Sequence, residues 1–267
     1  MEAIITNNLN RNNVREFAQV SYRSNVYPFR KNISIKNTSK NNSKSRYTSD
    51  GRKKANAASP IRNVEDIQKL EQYFLSTGHY RDYLLFVLGN NTGRRCGDLV
   101  TLKISDVYDF KNDCVLDKIV FLREEKTGKR FPYMFLNDNV RDAIETYLCS
   151  LATFPPCDDF LFKSQIRNRR TSVHASNAGH ITVASYWRIL NNAAKAVGID
   201  MSKQNVGTHT MRKTFGYHKY QHAVDSGDIS VLSKLMVIYN HSSEQITSRY
   251  IGIEEDEMKE FMLSCPV

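Results

Sequence analysis

The segment "NHSSEQITSRYIG" (240–252) sets His241 and Tyr250 nine residues apart, with Arg249 directly before the tyrosine. A phenol has a reference pKa near ~10 and is a poor nucleophile until neighbours stabilise its anion. Upstream, "THTMRKTF" (208–215) holds His209 and Arg212 three residues apart, so both fall on one face of a helix. An arginine brings a planar fork of permanently charged donors, and a histidine adds a donor or acceptor beside it; together they suit an anionic oxygen. Arginines gathered around a phosphodiester would stabilise a tyrosinate and neutralise charge in the transition state. The plain alternative is a surface helix with an aromatic anchor, a capping histidine and a solvated arginine. "HKYQH" puts His218 and His222 at i and i+4, half of a metal site, but Lys219 stands where a zinc protease needs glutamate. Packed or surface histidines are the expectation there.

These side chains need helices to carry them. Asn63 reads as an N-cap, with Glu65 and Asp66 in the first turn, and Ile67, Leu70 and Phe74 form one apolar face. "YRDYLLFVLGNNTG" (80–93) reads as a deeply buried helix closed by Gly89 or Gly93, and "RRCGDLVTLKISDV" (94–107) as a short helix leading to a strand. Two runs rich in β-branched and aromatic residues within 114–137 flank "KTGK", which predicts an antiparallel hairpin with Gly128 available for positive φ. Helices are predicted over 137–151 (capped by Asn137 or Asp138), 183–199 (ended at Gly198), 207–224 and 229–241. A polar, proline-marked connection fills 154–182. Ser242 and Gln245 spell a capping box that would start the last helix just after His241, leaving Tyr250 two turns down and His241 at a helix N-terminus, a favourable place for a phosphate. The fold class is therefore α+β, mainly helical, with a small antiparallel hairpin.

Charge is unevenly spread. The whole chain of 267 residues carries +10, yet residues 1–58 hold 12 Lys+Arg against 3 Asp+Glu, a net of +9, which leaves +1 for the rest. Those residues also contain 11 asparagines, many serines and few large aliphatics, a composition that buries little apolar surface against its ordering entropy. A basic arm suits nucleic acid or an anionic membrane, with a solubilising tail as the bland reading. No apolar run approaches the ~20 residues that span a bilayer, and "MEAIITNNLNRNN" has no basic start followed by an apolar block, so no secretory signal is expected. Five scattered cysteines without a CxxC pair fit a reducing compartment and argue against a disulfide framework or a cysteine zinc site. After the tyrosine, Met258, Phe261 and Met262 make a short apolar face that needs a groove to cover it, on this subunit or a neighbour.

Taken in order, four segments resemble the boxes of the tyrosine recombinases, the phage-integrase type of site-specific DNA recombinase. "NTGRRCGDLVTLKISDV" is similar to the first box, whose T-G-x-R pattern places the catalytic arginine at Arg95 and a supporting acidic residue at Asp98. "EEKTGKRFPYMFLN" is similar to the family's hairpin, which puts a general-acid lysine at Lys126, with Lys129 second to it. "HTMRKTF" matches the H-x-x-R box at His209 and Arg212, and "NHSSEQITSRYIG" the final box, with His241 and the nucleophile Tyr250. The resemblance runs over residues 90–252.

It implies a recombinase catalytic domain over 63–267, preceded by a basic segment, 1–62, in place of the family's N-terminal clamp of order a hundred residues, here reduced or missing. It also implies double-stranded DNA as partner, a homo-tetramer on that DNA with its C-terminal segments exchanged, no membrane association and cytoplasmic residence. No cofactor and no metal is required, because a phosphotyrosyl bond conserves the phosphodiester energy. A recombinase-fold DNA-binding regulator without strand transfer, and a topoisomerase-like nicking-closing enzyme, are the rival readings. Arg94 stands where the family commonly has an apolar residue, as an exposed side chain or an extra phosphate contact.

Overall fold

The computed structural model describes residues 58–120, 134–164, 179–200, 205–253, 259 and 262–264. Within them the chain forms α1 (Val64–Ser76), α2 (Tyr80–Thr92), α3 (Cys96–Val100), α4 (Asp138–Ser150), α5 (Val183–Ala196), α6 (Thr210–Ser226), α7 (Val231–Tyr239) and α8 (Glu244–Ile251). A 3-10 turn at Ile104–Asp106 leads into β1 (Tyr108–Asp109), which pairs antiparallel with β2 (Cys114–Val115); β3 (Lys118–Ile119) pairs antiparallel with β4 (Met134–Phe135). β3 and β4 belong to the two runs that predict the hairpin. The "KTGK" turn between them, with Lys126, Gly128 and Lys129, lies outside the described residues, as do Met258 and Phe261 of the C-terminal face.

Local chemistry sets the helix ends. The Asn63 side chain accepts from the Glu65 N–H at 2.9 Å, and Asn137 from Val140 at 3.1 Å, each satisfying a donor that a first helical turn leaves without a partner. Asn137, and not Asp138, is thus the cap of α4. The last helix starts one turn position later than the capping box suggests: Ser243 Oγ accepts from Ile246, and α8 begins at Glu244. His241 consequently lies in the α7–α8 connection, where its own N–H donates to the Met236 carbonyl at 3.0 Å and so closes α7.

α2 is the central element. Leu84, Leu85, Phe86, Val87 and Leu88 are all buried, so the helix is apolar around its whole circumference, and it packs against α1, α3, α4 and α6. A second apolar cluster (Phe215, Ala223, Val231, Leu235, Tyr239, Ile251 and Ile253) fastens α7 and α8 to α6. Among the described residues no helix is long and apolar enough to cross a membrane.

Gly93 ends α2 at φ +63, and a Cβ there would stand 2.4 Å from Phe215 Cδ1. Both constraints select glycine, and both bear on the arginines that follow. Gly93→Ala is expected to destabilise the chain by about 2–4 kcal/mol, the left-handed backbone adding to the overpacking. Urea unfolding of both proteins checks this; a loss under about 0.5 kcal/mol would mean that α6 yields to the methyl group.

Candidate active site

Arg95 follows this glycine turn and caps α3 in extended conformation (φ −68, ψ 141). Its side chain is half-buried, and its charge reaches Arg212, His241 and Tyr250. Arg94 behaves differently from its neighbour. It is 1% exposed, the largest of the fully buried side chains, and its Nη2 lies 3.9 Å from Asp98 Oδ2. Burial excludes the exposed side chain that the sequence offers as one reading of Arg94. A buried guanidinium is costly unless a counter-charge compensates it, and Asp98, four residues on along α3, supplies one.

Arg212 sits in the first turn of α6 and is anchored from behind. Nη1 donates to the Gly93 carbonyl at 2.7 Å and Nη2 to the Tyr239 carbonyl at 2.9 Å, while the guanidinium carbon stacks 4.3 Å from the Tyr239 ring centre. Tyr239 returns the contact, its Oη donating to the Arg212 carbonyl at 2.6 Å. Gly216 makes room for this, since a Cβ there would lie 2.3 Å from that same oxygen. Burial first, and the charges of Arg95 and Arg94 after it, lower the Arg212 pKa, while Tyr250 and Tyr239 pull it up.

Tyr250 projects from α8 to this arginine. Its Oη lies 3.2 Å from Nδ1 of His209, the residue that precedes α6, and within the influence of the Arg212 charge. With the His209 proton on Nε2, Nδ1 is an acceptor for the phenolic proton; with it on Nδ1, the ring donates to Oη. The ring packs 5.1 Å from His241 and 5.4 Å from Tyr239, with Lys213 Nζ 5.1 Å from its centre. Burial raises the Tyr250 pKa; Arg212 through charge and hydrogen bond, then Arg95, oppose it, and burial prevails. The resting group is therefore a neutral phenol beside a histidine ring nitrogen.

His241 completes the cluster. Its Nδ1 lies 3.1 Å from Thr247 Oγ1. Burial, then Arg212 and Arg95, push its pKa below the ordinary histidine value, so it is neutral at pH 7.

Five of the sequence-derived residues therefore converge around Tyr250 Oη and the Arg212 guanidinium: Arg95, His209, Arg212, His241 and Tyr250. Asp98 stands behind them, against Arg94. Lys126 and Lys129 lie outside the described residues. Sequence reasoning missed Tyr239, Lys213 and Thr247. Lys213 directly follows Arg212, but no spacing rule tells a lysine over an aromatic ring from a solvated one. Among the described residues no group of three His, Cys, Asp or Glu is placed to hold a metal ion. His218 faces the Ile61 carbonyl at 2.9 Å instead.

A phenol with a histidine ring nitrogen at hydrogen-bond distance and guanidiniums close by is an arrangement that suits nucleophilic attack on a phosphodiester. Comparison with known proteins agrees. Residues 62–257 match the Phage integrase family. The "Probable integrase/recombinase YoeC" of Bacillus subtilis (strain 168) is 36% identical over 197 residues, covering 74% of this chain and 91% of that protein. A "Tyrosine recombinase" of Pseudothermotoga lettingae is 29% identical over 192 residues, covering 72% of this chain and 56% of that one. The crystal structure of XerA recombinase superposes with a TM-score of 0.53 at 19% identity, over 80% of this chain and 66% of its own, and shares the fold.

Proposed function

The chain belongs to the phage integrase family and is an enzyme of the tyrosine recombinase class, and on that premise we propose that Tyr250 is the nucleophile with which it cuts and rejoins double-stranded DNA. Tyr250 Oη attacks the scissile phosphorus, the phenolic proton passes to His209, and the P–O5′ bond breaks. The products are a 3′-phosphotyrosyl bond and a 5′-hydroxyl. The 5′-hydroxyl of a partner strand then reverses the step, so phosphodiester energy is conserved and no nucleotide is consumed. Arg95 and Arg212 hold the non-bridging oxygens, Asp98 supports the arginine turn, Lys126 protonates the leaving 5′-oxygen and neutral His241 donates to the phosphate.

The observation that carries this reading is the Tyr250 Oη 3.2 Å from His209 Nδ1, under the charges of Arg212 and Arg95. The catalytic domain is residues 63–267, with residues 58–62 fastened to it, and the basic residues before them add phosphate contacts without sequence preference. The active assembly is a homo-tetramer on DNA, in the cytoplasm, with C-terminal segments passed between subunits.

The test uses genomic DNA of the source organism incubated with the full chain, denatured in detergent, and sequenced at protein-linked 3′ ends. A short recurring sequence at those ends is the expected result. Adducts no more frequent than with Tyr250→Phe would overturn the reading in favour of a DNA-binding regulator, and adducts at unrelated sequences would favour a nicking-closing enzyme.

A further inference from the structure

The residues just ahead of α1 have no regular secondary structure, yet they are fastened along their length. The Ser59 N–H donates to the Asn205 carbonyl at 2.9 Å, and Ala58 covers Gly207 so closely that a Cβ on that glycine would stand 2.8 Å from the alanine's own. The Ile61 N–H donates to Thr214 Oγ1 at 2.9 Å, and the Ile61 carbonyl accepts from His218 Nε2 at 2.9 Å, with the Ile61 side chain fully buried. Arg62 Nη2 then donates to the Gly252 carbonyl at 2.8 Å, its guanidinium carbon 5.2 Å from the Tyr217 ring centre. This strap touches the loop that leads to His209, the body of α6, and the residue that closes α8.

We propose that Arg62 is a positioning residue for Tyr250, acting through the Gly252 carbonyl to hold the last turn of α8 against the His209–Arg212 pair. The inference rests on Tyr250 being the nucleophile.

α8 has eight residues, too few to be stable by itself, so tertiary contacts decide where it lies. Ile251 and Ile253 fix its inner side by burial. Gly252, in left-handed conformation at φ 81, caps the helix and turns its carbonyl to the strap. A guanidinium there satisfies a carbonyl beyond the intrahelical ladder and lies at the negative end of the helix dipole. Tyr250 is two residues upstream of this bond. Its oxygen must meet His209 and Arg212 together, and a misplacement of about 1 Å at a reacting atom costs on the order of 10²-fold in rate. Arg62 is exposed, so its loss leaves the core intact.

The experiment follows single-turnover formation of the covalent adduct by the full chain on a nicked duplex carrying the mapped site, with DNA affinity measured alongside. Arg62→Gln is expected to lower the cleavage rate constant about tenfold while Kd stays within twofold. Arg62→Lys should recover most of the rate, since an ammonium can reach the same carbonyl. Hydrogen exchange should quicken at the Gly252 and Ile253 amides in the glutamine variant and stay slow in α2 and α4. Tyr217→Leu, which removes the ring beneath the guanidinium, should give a smaller loss of the same kind.

A cleavage rate for Arg62→Gln within twofold of the unsubstituted chain overturns the inference, as does a loss confined to Kd, which would make Arg62 a DNA contact. Failure of lysine to recover the rate also overturns it. Absence of any adduct with the unsubstituted chain would overturn the strand-transfer reading itself, and is distinguishable because it precedes every comparison among variants.

Discussion

Tyr250→Phe is expected to abolish covalent attachment to DNA, with no adduct above background, and to leave binding within a few-fold. The substitution deletes one oxygen. The ring keeps its packing on Tyr239 and His241 and its place beneath Lys213, because those contacts involve the aromatic face and edge and not the hydroxyl. What disappears is the atom that faces His209 Nδ1 and feels the Arg212 charge. A detergent-resistant protein–DNA band with the phenylalanine protein would assign the nucleophile to another residue. The fold should hold its stability to within about 1 kcal/mol, since one partly buried hydrogen-bonded hydroxyl contributes on that scale. A larger loss by urea titration would mean that the phenol is a structural group first.

Arg212→Lys retains a positive charge and nonetheless is expected to be almost as damaging. Arg212 presents a fixed fork whose two terminal nitrogens are bound to the Gly93 and Tyr239 carbonyls, and whose face lies on the Tyr239 ring. An ammonium cannot satisfy both carbonyls and contact Tyr250 at once. Two effects should therefore appear together. The cleavage rate should fall on the order of 10²–10³-fold, the usual consequence of losing one preorganised donor at a developing anion. Stability should fall by about 2–4 kcal/mol, because buried carbonyls lose their donors where α2, α6 and α7 meet. Stopped-time cleavage assays and denaturant titration separate the two. If the rate falls and stability does not, the carbonyl contacts are incidental to the fold.

Much of this protein was legible before any tertiary contact was known. Helix ends are local events: Asn63 caps α1 because a short polar side chain next to an apolar periodic run reaches its own backbone two residues on. Of the two glycines that the sequence offers as the end of α2, Gly93 closes it, because positive φ costs glycine little. The reactive residue types also speak for themselves, since tyrosine, histidine and arginine offer few kinds of chemistry, and the order of the four boxes narrows them to one. The composition of the chain distinguishes its basic N-terminal segment from the body without reference to any fold.

The rest depended on which surfaces meet. The T-G-x-R resemblance singles out Arg95, but no residue chemistry separates it from Arg94, of the same type and directly before it; the packing of α3 buries Arg94 with Asp98 and leaves Arg95 half-buried. Ser242 and Ser243 are equally good caps by type, and the closure of α7 at Asn240 and His241 decides between them by fixing where the next helix can begin. Tyr239 lies 27 positions from the arginine it supports, and Arg62 lies 190 positions from the carbonyl it holds. Such partners carry no periodicity in the sequence, because helical and strand repeats report only which face of an element is covered. What covers that face is chosen when the elements pack, and the proposed nucleophile, base and anion clamp, drawn from α8, α6 and the α2–α3 turn, are brought together only then.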